Sequence, residues 1–512
     1  MHPYVFAYIL SAIALVDSAR ILGVFPFPTH SHYQLGDAIF KELARTGHNV
    51  TVISPFKETE AIKNFKQILL DGLAEHAAEM QNNLFVQTDY SIFQKVEWLD
   101  TLGIDFTALA LKNSNVQKFI RENHHFDLVI VENFYNEALL GFCHHFQALC
   151  IGVSSLFSPY WFNGKMGSPA PPSYVPHFLV AYTSKMSFWQ RFYNTIVYVI
   201  SEVSRSLYGY RNQNRLLQTY FPKAPHLDEL YYNISLMLYS GHVSISEAVP
   251  NLPNTIDVAG HHVKPPKKLP QDLQEYLDSA TDGVILFSMG SNLKVKDFPN
   301  DTMNAFVTVF SELPQKVIWK YESEDFPNRP CNVLARPWLP QNDILAHPNV
   351  VLFITHGGLL GTIEAVYHGK PIFGLPVFSD QYINAARAKQ FGYGRYIPFG
   401  EVNENNLRDE LREILYNPKY SVNAKKRSSI MHDQPLPPLE RAIFWIEYVL
   451  RHNGAPHLRC SALDLAWYQY FLVDVVGACV ALLVATIGII IVLYRKICHC
   501  ACKLSITKIK KM

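Results

Sequence analysis

The stretch FITHGGLLGTIEA, residues 353–365, is the point from which the fold is read. An apolar run ends in His356, two glycines follow, and a helical pattern carrying Glu364 begins directly after them. Strand, glycine turn and helix in immediate succession place the first turn of a helix at the carboxyl end of a strand, where α/β folds bind ligands. The free N–H groups of that turn carry partial positive charge and glycine lets the backbone approach closely, so phosphate is the natural ligand. His356 adds a donor to the same oxygen.

Working outward, the segments GVILFSMGS, KVIWKYE, NVLARPW, VVLFITHGG and KPIFGLPVF alternate with helical stretches, an α/β series covering residues 271–433. A second series lies upstream. ILGVFPF, a helical segment ending near Gly47 and VTVIS form the opening of a βαβ unit, and FDLVIVEN and ALCIGVSS read as further buried strands within residues 20–249. Between them, residues 250–270 are rich in proline and read as a linker. The expected architecture is α/β, with two Rossmann-like domains facing a cleft. Residues 434–470 begin with a helix, PPLERAIFWIEYVLRHNGAPHL, expected to pack back along both domains before the chain approaches a membrane.

The two ends carry addressing signals. Residues 1–19 have the apolar core and small residues of a cleaved secretory signal. Residues 471–494 include an uncharged run long enough for a single transmembrane helix, preceded by the aromatic WYQYF. Residues 495–512 hold six Lys or Arg and no acid, which places this tail in the cytosol and everything before the span in the lumen. Lys508 and Lys510 have dilysine retrieval spacing, so endoplasmic reticulum residence is expected for this single-pass type I arrangement. The net charge of +1 becomes −5 without the tail's +6, and an acidic body excludes nucleic acid as the expected partner. Eight cysteines are too few and scattered for a disulfide scaffold, no pair is assignable, and no metal-ligand spacing occurs. Sequons stand at Asn49, Asn233 and Asn300.

The longer segment WLPQNDILAHPNVVLFITHGGLLGTIEAVYHGKPIFGLPVFSDQ, residues 338–381, resembles throughout the signature of the UDP-glycosyltransferases, the membrane-bound family of glucuronosyltransferases and insect glucosyltransferases. GHNVTVISP, LFSMGS and RAIFWIEYVLRHNGAPHL extend the resemblance to the rest of the chain, whose overall pattern looks closest to insect members. The resemblance implies a GT-B fold and a hexosyltransferase acting on a UDP-sugar, which is a co-substrate; no cofactor or metal is expected. Trp338 would stack on uracil and Gln341 would bond the base or ribose. Glu364 would accept the ribose hydroxyls, although a solvated carboxylate facing His368 is the plain alternative. His356, Gly358 and Ser291 would hold the diphosphate. Asp380 and Gln381 would bind vicinal hydroxyls of the hexose. Leu360 departs from relatives with a polar residue beside the phosphate loop.

The same resemblance assigns the base to His32, with His30 as rival. SHYQ, residues 31–34, has the form of a capping box, which puts His32 in a first helical turn. A carboxylate should orient its other nitrogen; Glu132, at the end of FDLVIVE, stands where many relatives have Asp, and Glu137 is the fallback. The expected reaction is an inverting displacement that moves glucose, with glucuronate second, to a small lipophilic acceptor. The acceptor cavity is expected from the aromatic stretches YSIFQKVEWLD and SPYWFNGKMG. Homo- or hetero-oligomers are open. The alternatives are a non-catalytic UDP-sugar-binding relative or partner subunit, and an esterase, which would need a Gly-x-Ser-x-Gly elbow that the chain lacks.

Overall fold

The computed structural model describes residues 18–80, 84–157, 160–323 and 326–509; the leader at residues 1–17 and Lys510 of the tail lie outside them. The chain divides into two units, one ending at Arg459 and one beginning at Cys460.

The first unit holds two sheets. Seven strands, β1 (Arg20–Val24), β2 (Asn49–Ser54), β3 (Phe65–Leu69), β4 (Leu128–Glu132), β5 (Leu149–Ser154), β6 (Ile234–Tyr239) and β7 (Thr255–Asp257), lie in the order β3-β2-β1-β4-β5-β6-β7. Six more, β8 (Val284–Ser288), β9 (Lys316–Lys320), β10 (Val333–Arg336), β11 (Val350–Thr355), β12 (Ile372–Gly374) and β13 (Gly394–Tyr396), lie in the order β10-β9-β8-β11-β12-β13. Every pairing is parallel. Parallel strands joined by helices are covered on both faces, which is why β4 and β8 are buried along their whole length and read as continuous apolar runs. Alternate residues enter different cores: Leu22 and Val24 of β1 face one and Ile21 the other, as Ile285 and Phe287 of β8 oppose Val284 and Leu286.

The helices that matter below are α1 (His30–Arg45), α2 (Ile92–Lys112), α3 (Phe188–Ser204), α4 (Tyr210–Tyr220), α5 (Leu359–Tyr367), α6 (Gln381–Gln390) and α7 (Pro438–Arg451). One expectation is corrected. The stretch read as linker, residues 250–270, contains β7, which completes the first sheet by pairing with β6. Three residues beside prolines give no periodicity to read, and an edge strand needs only one partner. Helix α7 seats Ala442, Ile443, Ile446 and Val449 in the core of the first sheet beside Ile21, Leu35 and Ile39.

Cys143 and Cys150, seven residues apart on either side of the return into β5, form a disulfide. In the second unit, α8 (Val473–Ile509) contains the apolar stretch Val473–Ala501, the one helix among the described residues long and apolar enough to cross a membrane. It continues through the basic segment that was read as a separate tail.

Candidate active site

Each sheet reverses its strand order once, at β1/β4 and at β8/β11. Connections leave such neighbours in opposite directions, which opens a crevice at their carboxyl ends. Residues from both crevices line one cleft of about 360 Å³.

The first crevice positions His32. Helix α1 starts at His30, with Thr29 as an extended N-cap residue (φ −127°, ψ 140°) and no side-chain cap. The capping box expected at Ser31 and Gln34 is therefore not formed; Ser31 already lies inside the helix, its Oγ 3.4 Å from Thr29 Oγ1. His32 remains in the first turn. Its Nδ1 is 2.5 Å from Glu132 Oε1, and Oε2 of that carboxylate accepts the Phe27 N–H at 3.2 Å. Phe27 stacks on the imidazole at 4.4 Å and Phe134 meets it edge-on at 4.8 Å. With Glu132 buried and two rings against the imidazole, Nε2 is the nitrogen left to the cleft that His32 lines.

The competing residues are engaged elsewhere. Glu137 pairs with Arg205, which also reaches Asp100 at 3.3 Å and lies over the Tyr135 and Trp161 rings, all three charged groups buried. Removing one partner from such a cluster leaves an uncompensated charge, so Glu137→Ala is expected to cost about 3–5 kcal/mol of stability, measurable by denaturant unfolding. His30 lies flat on Phe56 at 4.1 Å and meets Trp338 across the cleft at 6.1 Å. It has no carboxylate partner among the described residues, and burial together with the Lys320 charge lowers its pKa.

In the second crevice, β11 ends at Thr355 and α5 begins after Gly358, its N-cap residue. Gly357 has φ +84°, and a Cβ on Gly358 would stand 2.4 Å from His356 Nε2. The turn requires the first glycine and the packing of the histidine against the loop requires the second. Burial, then the nearby Lys320 charge, push the His356 pKa down to about 4, so the ring is neutral near pH 7. Ser291 follows β8 and lines the cleft; its Oγ donates to Asn292 Oδ1 at 3.2 Å.

Lys320 is a functional candidate that reading the sequence missed. Its ammonium donates to the Gly290 carbonyl at 3.0 Å, pairs with Glu322 at 2.8 Å and lines the cleft beside His356. The available signal was its position as the last residue of β9, at the end of the sheet where the cleft opens.

Gln341 Nε2 donates to Glu364 Oε2 at 2.6 Å. Glu364 is buried, not a solvated partner of His368, whose Nε2 bonds Asn342 Oδ1 at 2.8 Å. Burial raises the Glu364 pKa to about 7, with Gln341 opposing and Asp343 adding to the rise. Trp338 is 62% exposed and presents its ring at the cleft. Asp380 Oδ2 accepts from Asn384 at 2.8 Å, and burial raises its pKa. Gln381 is less free than expected. Its Oε1 accepts the N–H groups of Val377 and Phe378 at 2.8 and 3.1 Å, closing the loop before α6, so its NH2 is the end left for a ligand.

Beside His32 the wall is apolar, with Phe134, Trp98, Leu99, Leu102 and Leu156. YSIFQKVEWLD thus contributes Trp98 and Leu99, whereas no described residue of SPYWFNGKMG lines the cleft.

Residues 22–512 match the family model described as UDP-glucoronosyl and UDP-glucosyl transferase. The chain is 35% identical over 492 residues to UDP-glycosyltransferase UGT5 of Dactylopius coccus, covering 95% of this chain and 94% of that one. It is 32% identical over 492 residues to UDP-glucuronosyltransferase 2C1 of Oryctolagus cuniculus, covering 91% and 95%. Among solved structures it is similar in fold to UDP-glucose: anthocyanidin 3-O-glucosyltransferase in complex with UDP, with a TM-score of 0.56, 16% identity and coverage of 85% of this chain and 99% of that chain. The architecture is GT-B.

Proposed function

Because the chain belongs to the UDP-glucuronosyl and UDP-glucosyl transferase family and is a hexosyltransferase, we propose that it moves glucose from UDP-glucose to a hydroxyl of a small lipophilic acceptor by a single inverting displacement. The observation that carries this reading is the His32–Glu132 pair, which opens toward an apolar wall on one side of the cleft while the His356 loop stands on the other. His32 Nε2 takes the acceptor proton, the oxygen attacks the anomeric carbon, and UDP departs from the opposite face. Charge developing on the diphosphate meets the N–H groups at the start of α5, neutral His356 and the Lys320 ammonium, preorganised dipoles and a cation that do the work of electrostatic stabilisation without a metal. Trp338 stacks on the base, Gln341 and Glu364 hold base and ribose, and Asp380 with the Gln381 NH2 holds the hexose. Helix α8 and its basic end support a type I protein of the endoplasmic reticulum membrane with the catalytic unit lumenal.

The test incubates microsomes containing the full chain with UDP-glucose, UDP-glucuronate and UDP-galactose, each against a panel of lipophilic acceptors. Product mass is expected to show glucose addition, and absence of product with all three donors overturns the assignment.

Glu364 supplies a pH dependence. As a carboxylate it accepts two ribose hydroxyls; protonated, it does so poorly. With its pKa near 7 in the donor-free protein, donor KM is expected to rise roughly tenfold from pH 8 to pH 6, and Glu364→Gln to remove that dependence. The effect on folding has the opposite sense. Between about pH 4.5 and 7 the folded state holds a proton that the unfolded chain has released, so this group's contribution to stability is present at low pH and lost as pH rises through 7.

A further inference from the structure

The segment that joins the two sheets carries two adjacent buried histidines, His261 and His262, inside the stretch read as a linker. Its backbone is fixed from the first sheet: the Val258 N–H donates to the Tyr239 carbonyl of β6 at 2.8 Å, and the His261 N–H donates back to the Val258 carbonyl at 3.1 Å. The His261 ring lies between two carbonyls, with Nδ1 2.8 Å from that of Val258 and Nε2 3.1 Å from that of Leu35 in α1. It ties this turn to α1. The next residue has the opposite character. Only 2% of the His262 side chain is exposed, and neither ring nitrogen makes a hydrogen bond of ordinary geometry among the described residues. Burial and then the neighbouring His261 hold its pKa down to about 3, with the Leu360 backbone opposing, so the ring is neutral and keeps one N–H to donate.

A buried polar group without a partner is costly and calls for a reason, and the group that faces this one is a carboxylate. His262 Nε2 lies 4.0 Å from Glu364 Oε1, beyond hydrogen-bond distance by about 1 Å. Glu364 Oε2 is already taken by the Gln341 NH2 at 2.6 Å. We propose that His262 is a positioning residue for donor binding: when the ribose of the UDP-sugar sits on Glu364, the ring closes this gap and its Nε2–H donates to Oε1. The inference rests on the reading of Glu364 as the ribose-binding carboxylate. An ionised carboxylate offers about four acceptor positions. Gln341 occupies one, the two ribose hydroxyls occupy two, and His262 completes the set.

A neutral donor at Oε1 favours the carboxylate over the protonated acid, and the carboxylate is the form that accepts two hydroxyls. It also makes the ribose site dependent on the first sheet. His262 follows His261, whose ring meets the Leu35 carbonyl in the same helix that carries His32. The residue that holds the donor and the helix that presents the proposed base are thus joined through this histidine pair.

The test measures, by calorimetry on the detergent-solubilised full chain, the dissociation constants of UDP and of its dideoxy analogue, which lacks both ribose hydroxyls. Their ratio cancels losses that fall on base and diphosphate alike. The wild type is expected to prefer UDP by about a hundredfold, and His262→Leu to reduce that preference about tenfold. His262→Gln, whose amide nitrogen stands in for Nε2, is expected to restore it to within about threefold of wild type. In turnover the loss falls on donor KM rather than on kcat, and in a Glu364→Gln background His262→Leu adds no further loss of preference. A full preference in His262→Leu, where Glu364→Gln abolishes it, overturns this inference and leaves the ribose reading standing. So does a His262→Gln variant as impaired as His262→Leu, because shape rather than a donated proton would then be what matters. A wild type that binds both ligands equally overturns the ribose reading and this inference with it. If His262→Leu does not fold, His262→Phe, a ring without a donor, carries the same expectation, and a full preference there overturns the inference equally.

Discussion

His32→Ala is expected to lower kcat by between about 10² and 10⁴, the range supplied by a positioned general base, while the dissociation constant of UDP stays within twofold. The asymmetry follows from the division of labour across the cleft. Every group proposed to hold UDP belongs to the second sheet and its connections, whereas His32 is fixed from the first by Glu132, Phe27 and Phe134. Removing the imidazole leaves the donor pocket intact and leaves the acceptor hydroxyl with no group to take its proton. Single-turnover rates with calorimetric UDP binding read the two quantities separately. His30→Ala is the internal control: that ring touches Phe56 and Trp338 but no carboxylate among the described residues, so its effect should fall on donor KM through Trp338. If His30→Ala abolished turnover and His32→Ala did not, the base would be reassigned.

The donor half was the more legible because its signals are contiguous. In residues 353–365 the strand end, the two glycines and the helix start follow one another, and the structure places them in that relation. The catalytic pair was harder. His32 and Glu132 lie 100 residues apart and meet because β1 and β4 are neighbours, a consequence of strand order that no local pattern shows. The sequence favours Glu132 and leaves Glu137 as the fallback. They are separated by Arg205, 68 residues beyond Glu137, which occupies a π-helical turn and takes Glu137 into a buried cluster. Lys320 carries no local signal beyond its place in KVIWKYE; its burial, its contact with Gly290 and its effect on His356 are products of tertiary packing. The Ser31–Gln34 pattern misled because Thr29 already caps the helix through its backbone conformation, and a side-chain cap is only one way to begin.

Glu132→Gln should be nearly as damaging as loss of the histidine, with kcat reduced by about 10² to 10⁴, although it preserves shape and the buried position. In the wild type both carboxylate oxygens accept, one from His32 Nδ1–H and one from the Phe27 N–H. The proton is thereby held on Nδ1, and Nε2 presents a lone pair to the acceptor. An amide has one oxygen and one NH2. If the oxygen stays with Phe27, the NH2 donates to Nδ1, the ring proton moves to Nε2, and the base is converted into a donor. If the amide turns round, its NH2 faces the Phe27 N–H, leaving two buried donors opposed. Glu132→Asp separates charge from reach: it restores two accepting oxygens but withdraws them by one methylene, so one of the two bonds must lengthen. Its kcat should fall between wild type and Glu132→Gln. Calorimetric UDP binding distinguishes tautomer control from collapse of the site, because a kcat loss in Glu132→Gln with UDP affinity unchanged requires that the donor pocket and the fold are intact. Wild-type kcat in Glu132→Gln would remove the carboxylate from the mechanism and leave orientation of His32 to Phe27 and Phe134 alone.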